Sequence, residues 1–206
     1  SLNEQTKPYD ELIVVDNGST DNSIEIARGY TNKIFSAPRG KLNALNVGIS
    51  MASGDVILTV DSDCWYDPTY IERITKHFEN PDTVLVLSSV YNDDSSAFIN
   101  YVDGLLNFIG YYLMKHGLGA GRAFRREVFM QVGGFNLNVN QLNARSISSE
   151  EEISFHQRIA KLGRVIYDPS IIFHHRRMRQ VICESCQHQT EGVCEFCAEI
   201  QRGERF

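Results

Sequence analysis

No stretch of the 206-residue sequence holds the roughly 18 uninterrupted apolar residues that a bilayer-spanning helix requires, and the first residues do not read as a secretory signal peptide. These absences predict a soluble, cytoplasmic protein. An excess of positive charge is absent as well: 20 Lys and Arg stand against 26 Asp and Glu, a formal net charge of −6. General affinity for nucleic acid needs clustered cations that release counterions, so a nucleic-acid partner is excluded, and Arg176, Arg177 and Arg179 form one basic cluster against that trend. Internal repeats and low-complexity tracts are lacking. The chain opens on Ser1-Leu2-Asn3 without an initiator Met and soon reaches an apolar run, which points to missing upstream sequence.

What is present suits one domain with a sizeable core, since 42% of residues are hydrophobic and 22% charged. Glu11 to Val15 reads as a buried strand closed by the polar turn Asp16-Asn17-Gly18-Ser19-Thr20. A helix follows from Asn22 with Ile24 and Ala27 on one face, then a strand over Thr31 to Phe35 and the loop Pro38-Arg39-Gly40. Leu42, Leu45 and Ile49 carry the stripe of a second helix. Val56 to Val60 is a strand that delivers Asp61-Ser62-Asp63 at its carboxyl end. Pro68 opens a helix with Ile71, Ile74 and Phe78 buried, and Val84 to Val90 is a further strand.

Strands alternating with amphipathic helices predict an α/β domain whose central sheet is mainly parallel and flanked by helices. In such sheets ligands sit at the carboxyl ends of strands, the edge that carries both Asp16 and Asp61. Phe98 to Met114 reads as a helix packed on the core through Leu105, Ile109 and Tyr112 or Leu113, with a peripheral membrane role as the alternative. Glu150 to Leu162 is a helix presenting Phe155, Ile159 and Leu162, with short strands at Val165 to Tyr167 and Ile171 to Phe173.

Asp61 and Asp63 side by side call for positive compensation, and Mg²⁺ or Mn²⁺ shared with substrate phosphates supplies it. An isolated Asp-x-Asp is weak, but here it belongs to an ordered set. Val14-Val15-Asp16-Asn17-Gly18-Ser19-Thr20-Asp21 comes first, then Gly40-Lys41-Leu42-Asn43-Ala44-Leu45-Asn46-Val47-Gly48, then Asp61-Ser62-Asp63 with Pro68 after it. From about Asp10 to His175 the chain resembles glycosyltransferase family 2, whose catalytic domain has the GT-A fold.

That resemblance implies a nucleotide-diphosphate sugar donor, by default a UDP-sugar with GDP- or TDP-sugars open, and an inverting, metal-dependent transfer to an acceptor hydroxyl on a glycan, a lipid-linked glycan or a protein. It assigns Asp16, with Asn17 beside it, to the nucleotide base, Arg39 and Lys41 to the base or diphosphate, Asp61 to ribose and metal, and Asp63 to the metal as principal ligand. Gly133-Gly134-Phe135 looks like an acceptor-side segment. Glu150-Glu151-Glu152 occupies the position of the family's acidic pair, with Glu152 favoured over Glu151 or Glu150 as general base; a helix N-terminus would keep such a carboxylate ionised. His174 or His175 adds an imidazole to the metal, and strand alternation turns only one of them inward. The resemblance also implies that a first strand and helix precede Ser1, so that residues 1–179 form an incomplete GT-A domain.

Residues 180–206 form a polar tail in which Cys183-x-x-Cys186 and Cys194-x-x-Cys197 have the spacing of a structural Zn²⁺ site. Two rival readings remain on sequence grounds: a sugar-phosphate nucleotidyltransferase, which would need a Gly-rich, Arg-containing phosphate loop, and a non-catalytic adaptor fragment acting through a zinc-binding tail.

Overall fold

The computed structural model describes residues 1–114, 121–137, 144–175, 180–182 and 189–191. In chain order the elements are β1 (Val14–Asp16), α1 (Ser23–Arg28), β2 (Ile34–Ser36), α2 (Lys41–Met51), β3 (Val56–Thr59), β4 (Cys64–Tyr66) and α3 (Tyr70–Lys76). They continue with β5 (Thr83–Asn92), α4 (Ala97–Met114), β6 (Arg122–Arg125), α5 (Arg126–Val132), α6 (Ala144–Ile159), β7 (Arg164–His175), β8 (Gln180–Ile182) and β9 (Gln189–Glu191). Short 3-10 turns cover Leu2–Glu4 and His77–Glu79.

β1 and β2 pair in parallel, Val15 opposite Phe35, and form a sheet of their own. α2 packs on them with Leu42 and Ile49 buried, as their spacing predicts. Gly48 allows this approach, because a Cβ there would lie 2.9 Å from a Val15 methyl. Residues 1–9 run against the start of α3, where Gln5 accepts from the Ile71 amide at 2.9 Å and donates to the Asp67 carbonyl at 2.8 Å. This side chain satisfies the Ile71 amide, one of the N–H groups that a helix N-terminus leaves open.

The main sheet has five strands in the order β3-β6-β5-β7-β4. One face carries Leu85, Leu87 and Phe124 under Phe129, Phe135, Phe155 and Ile159; the other carries Val86, Val90, Ala123 and Phe173 under Tyr70, Ile74 and Phe78. Each fully buried Phe or Ile contributes about 1.5–3 kcal/mol through area removed from water.

The α/β class stands, but the sheet is mixed rather than mainly parallel. β5 and β7 are parallel, whereas β3–β6, β6–β5 and β7–β4 are antiparallel. β6 was illegible because its four residues begin and end in Arg, and β4 because three residues directly after an acidic turn carry no strand pattern. The two short strands expected around Pro169 are one strand, β7, whose register against β5 shifts between Ser88 and Ser89.

Two helices depart further from expectation. α6 begins at Ala144, so Glu150-Glu151-Glu152 lies along the helix and not at its N-terminus, and Leu162 falls beyond its end. On α4 the expected core stripe faces outward: Leu105 and Ile109 are exposed, and Tyr112 and Leu113 are 70% and 73% exposed. The face turned to the sheet is polar instead. Asn100 accepts from the Asn92 amide at 2.8 Å, Asn92 donates to Asp103 at 3.2 Å, and the Tyr111 hydroxyl donates to the Val165 carbonyl at 3.0 Å. Among the described residues no helix is long and apolar enough to cross a membrane.

Candidate functional site

The strand ends bring the acidic turns and α2 to one edge. Asp16 ends β1, where the Ser19 and Gly18 amides donate to its carboxylate at 3.1 and 3.2 Å. Hydrogen bonding from Ser19, reinforced by Gly18, holds the Asp16 carboxyl below its ordinary value, so it is an acceptor-only group. Arg39 lies over Gly18, its Nε 3.5 Å from where a Cβ would stand. Gly40, at φ +122°, turns the chain into α2, whose first turn has no side-chain cap and no acidic residue. Its open amides and the Lys41 ammonium give this helix end the character of an anion site. Asn17 is half-buried beside Asp16.

Asp61 follows β3, and Lys41 Nζ lies 3.2 Å from its Oδ2. Asp63 is placed by the next pairing: β4 runs antiparallel to β7 with Cys64 opposite His175. His175 Nε2 is 3.3 Å from Asp63 Oδ2. His174 faces the other side of the sheet, stacked on Trp65 at 5.6 Å and 3.0 Å from Asp93. Of the candidate metal residues, Asp63 and His175 come together and Asp61 lies on Lys41, while His174 turns to the opposite side, as strand alternation requires of one histidine of the pair.

The second neighbours of His175 decide what it offers. Asn92 donates to Asp103, which turns its Oδ1 to His175 Nδ1 at 3.1 Å. An amide oxygen only accepts, so Nδ1 carries the proton, and in the neutral imidazole the Nε2 lone pair faces the acceptor-only Asp63 carboxylate, a pairing that a cation between them would satisfy. Two neighbouring ligands of one divalent ion, each about 2.1 Å from it, stand roughly 3 Å apart, and the Asp63–His175 separation of 3.3 Å fits. Among the described residues no three His, Cys, Asp or Glu converge on one point. Among the described residues Asp63 and His175 are the pair that could hold such an ion. Cys64 stays a thiol, its pKa pushed up to about 12 by burial and then by Asp63 and Asp61.

Glu152 projects from α6 toward the same edge. Its Oε1 lies 3.6 Å from Lys41 Nζ and its Oε2 3.5 Å from Arg122 Nη1, with the side chain 8% exposed. The charge that sequence reasoning ascribed to a helix terminus is met instead by two cations. Arg122 is fully buried on β6; burial pulls its guanidinium below the ordinary value while Glu152 and Asp61 oppose that shift. Glu151 differs, because Arg158 donates to it at 2.5 Å and the Asn136 amide at 2.7 Å. That carboxylate is held within the fold, and Glu150 is exposed.

Gly133-Gly134-Phe135 is a packing turn. Gly133 ends α5 at φ +78°, Phe135 is buried, and the Asn46 side chain accepts from the Phe135 amide at 2.9 Å and donates to its carbonyl at 2.8 Å. Sequence reasoning missed Arg122, Asn92 and Asp103. Asn92 could have been found as the polar residue closing an apolar strand on the ligand edge, whereas Arg122 and Asp103 gave no signal. Cys183, Cys186, Cys194 and Cys197, with Arg176, Arg177 and Arg179, lie outside the described residues. A separate cavity of about 520 Å³, lined by Arg73, Lys76, His77, Arg164 and Asp168 among others, shares none of the site residues.

Comparison with known proteins bears on this site. A family profile described as "Glycosyl transferase family 2" matches residues 1–133. The glycosyltransferase GlyG of Streptococcus pneumoniae is 36% identical over 110 residues, 49% of this chain and 36% of that protein. The undecaprenyl-phosphate 4-deoxy-4-formamido-L-arabinose transferase of Yersinia enterocolitica is 32% identical over 98 residues, 44% of this chain and 30% of that protein. The chain thus spans about a third of these curated relatives. Among solved structures, the mannosyltransferase PcManGT from Pyrobaculum calidifontis, in complex with GDP-Man and Mn²⁺, aligns with a TM-score of 0.62 at 22% identity over 90% of this chain and 52% of that one. This last likeness shows a shared fold, the GT-A arrangement.

Proposed function

The chain belongs to glycosyltransferase family 2, and from that membership we propose that it carries the donor and base site of an inverting glycosyl transfer from a nucleotide-diphosphate sugar to an acceptor hydroxyl. The observation that carries this reading is the line Asp61–Lys41–Glu152, with Lys41 3.2 Å from one carboxylate and 3.6 Å from the other. It joins the donor-side acidic turn to a carboxylate suited to accept a proton. The family match speaks against the nucleotidyltransferase alternative.

Asp16 accepts from the nucleotide base. The diphosphate lies against the open amides of α2 with Arg39 and Lys41 near, where cations and helix terminus favour it. Asp63 and His175 would hold a divalent cation, Mn²⁺ or Mg²⁺, which when bound supplies Lewis-acid stabilisation of the departing diphosphate. Asp61 stands toward the ribose. Glu152 takes the acceptor proton as the hydroxyl oxygen attacks the anomeric carbon. The bond to the diphosphate oxygen breaks, and its electron pair leaves with the nucleotide. UDP is the favoured nucleotide, with GDP the alternative that the fold neighbour's GDP-Man complex supports.

An acceptor linked to a lipid accords with the outward face of α4, where Phe98, Tyr101, Leu106, Tyr112 and Leu113 are exposed together. Aromatic and aliphatic side chains on one helix face suit a membrane interface. A structural Zn²⁺ in residues 180–206 remains the reading of the paired cysteines.

The reading is tested by release of UDP or GDP from UDP-glucose, UDP-N-acetylglucosamine and GDP-mannose with Mn²⁺. Release that falls at least ~100-fold in Glu152→Gln, while donor KM changes little, is expected for a general base. Full turnover in Glu152→Gln would overturn the assignment. No release from any donor, by the full chain and by Glu152→Gln alike, would favour the adaptor reading.

A further inference from the structure

Arg122 is the largest fully buried side chain of the described residues, and no sequence feature accounts for it. It stands on β6 opposite Leu87 of β5, on the sheet face covered by α6. Its Nη1 lies between two groups one turn apart on that helix, donating to His156 Nε2 at 3.3 Å and standing 3.5 Å from Glu152 Oε2. Because a guanidinium only donates, His156 must present a lone pair there. The Phe135 ring supports the guanidinium from 5.2 Å.

This arrangement is an expensive way to stabilise a fold. Removing a guanidinium and a carboxylate from water costs more than their attraction readily returns, and a hydrophobic pair of similar volume often serves stability equally well. What the pair does fix is direction: with Oε2 held from below, Oε1 is turned to Lys41 at 3.6 Å, on the Asp61 side. Lys41, the other cation beside Glu152, is 39% exposed and pairs also with Asp61, and Glu151 is taken by Arg158, so Arg122 is the fully buried hold on this carboxylate.

We propose that Arg122 is a positioning residue, which holds Glu152 through Oε2 so that Oε1 faces the acceptor; the inference rests on the reading of Glu152 as the general base. Arg122 itself touches no substrate and acts only through Glu152, with His156 sharing the hold.

A double-mutant cycle on the full chain tests this, using Arg122→Met, Glu152→Gln and the pair, with UDP or GDP release and thermal unfolding measured on each. Arg122→Met is expected to lower kcat at least ~10-fold with donor KM within about 2-fold, and to have no further effect on kcat in the Glu152→Gln background. Arg122→Lys, which keeps the charge on a single donor group, is expected to recover part of the loss. Should Arg122→Met fail to fold, Arg122→Lys takes its place in the same cycle.

Independent, additive effects of the two substitutions on kcat would overturn the inference while leaving Glu152 as base. A Glu152→Gln protein with full kcat would overturn the base reading instead, and unfolding midpoints that combine additively would show that the two side chains do not interact.

Discussion

Asn46 offers a quantitative test of how α2 is held. Its amide clamps the Phe135 backbone from both sides, donating to the carbonyl at 2.8 Å and accepting from the amide at 2.9 Å. Phe135 is buried, with its ring centroid 4.2 Å from that of Phe155. Asn46→Ala removes two hydrogen bonds worth about 1 kcal/mol each and leaves a partly buried N–H and C=O without partners, so the loss should be about 2–4 kcal/mol. For a chain of this size that lowers Tm by roughly 5–15 °C.

Urea unfolding should show the midpoint falling with m unchanged. Asn43→Ala is the control, because Asn43 also donates to a carbonyl, that of Arg39 at 2.8 Å, but at an exposed position. Its expected cost is below about 1 kcal/mol. Equal costs for the two substitutions would refute the claim that Asn46 ties α2 to the turn after α5.

Glu151→Gln should lower stability by about 1–3 kcal/mol, through loss of the Arg158 and Asn136 contacts, while leaving kcat nearly unchanged; a large kcat loss at native stability would show that the wrong carboxylate has been assigned to the fold. Burial raises the Asp168 carboxyl, but hydrogen bonds from Ser170 and His77 outweigh it and hold the group below its ordinary value. A depressed carboxylate stabilises above its unfolded pKa, and that contribution is lost as pH falls through the folded one. The stability gap between the parent and Asp168→Asn should therefore close as pH falls below the ordinary aspartate value of about 4, and a constant gap in urea unfolding would contradict the assignment. Leu106→Gln and Leu113→Gln on the outer face of α4 should change stability by less than about 0.5 kcal/mol, yet weaken co-sedimentation with lipid vesicles; unchanged sedimentation would remove α4 as a membrane contact.

The residues that apolar strands deliver to the sheet edge were legible, because a short β-branched run followed by an acidic turn has one ready structural meaning. Asp16, Asp61 and Asp63 belong to this class. Register was not legible. Whether His174 or His175 faces Asp63 depends on Cys64 pairing with His175 in a strand too short to be seen in the sequence. Arg122 was hidden for a related reason, since a buried Arg is justified only by partners 30 and 34 positions away, Glu152 and His156. The inverted α4 marks the limit of periodicity, which reports that an apolar face exists and not what covers it. Its polar side was claimed by Asn92, whose bonds to Asn100 and Asp103 satisfy buried groups at the end of β5.

The central claim, a donor site whose metal rests on Asp63 and His175, is most directly tested by titration calorimetry of UDP and GDP. The parent chain would be titrated with Mn²⁺ and with EDTA, and Asp63→Ala and His175→Ala with Mn²⁺. The account predicts binding that requires Mn²⁺ and weakens at least ~10-fold in each variant. Nucleotide affinity that ignores both Mn²⁺ and the two substitutions would contradict it.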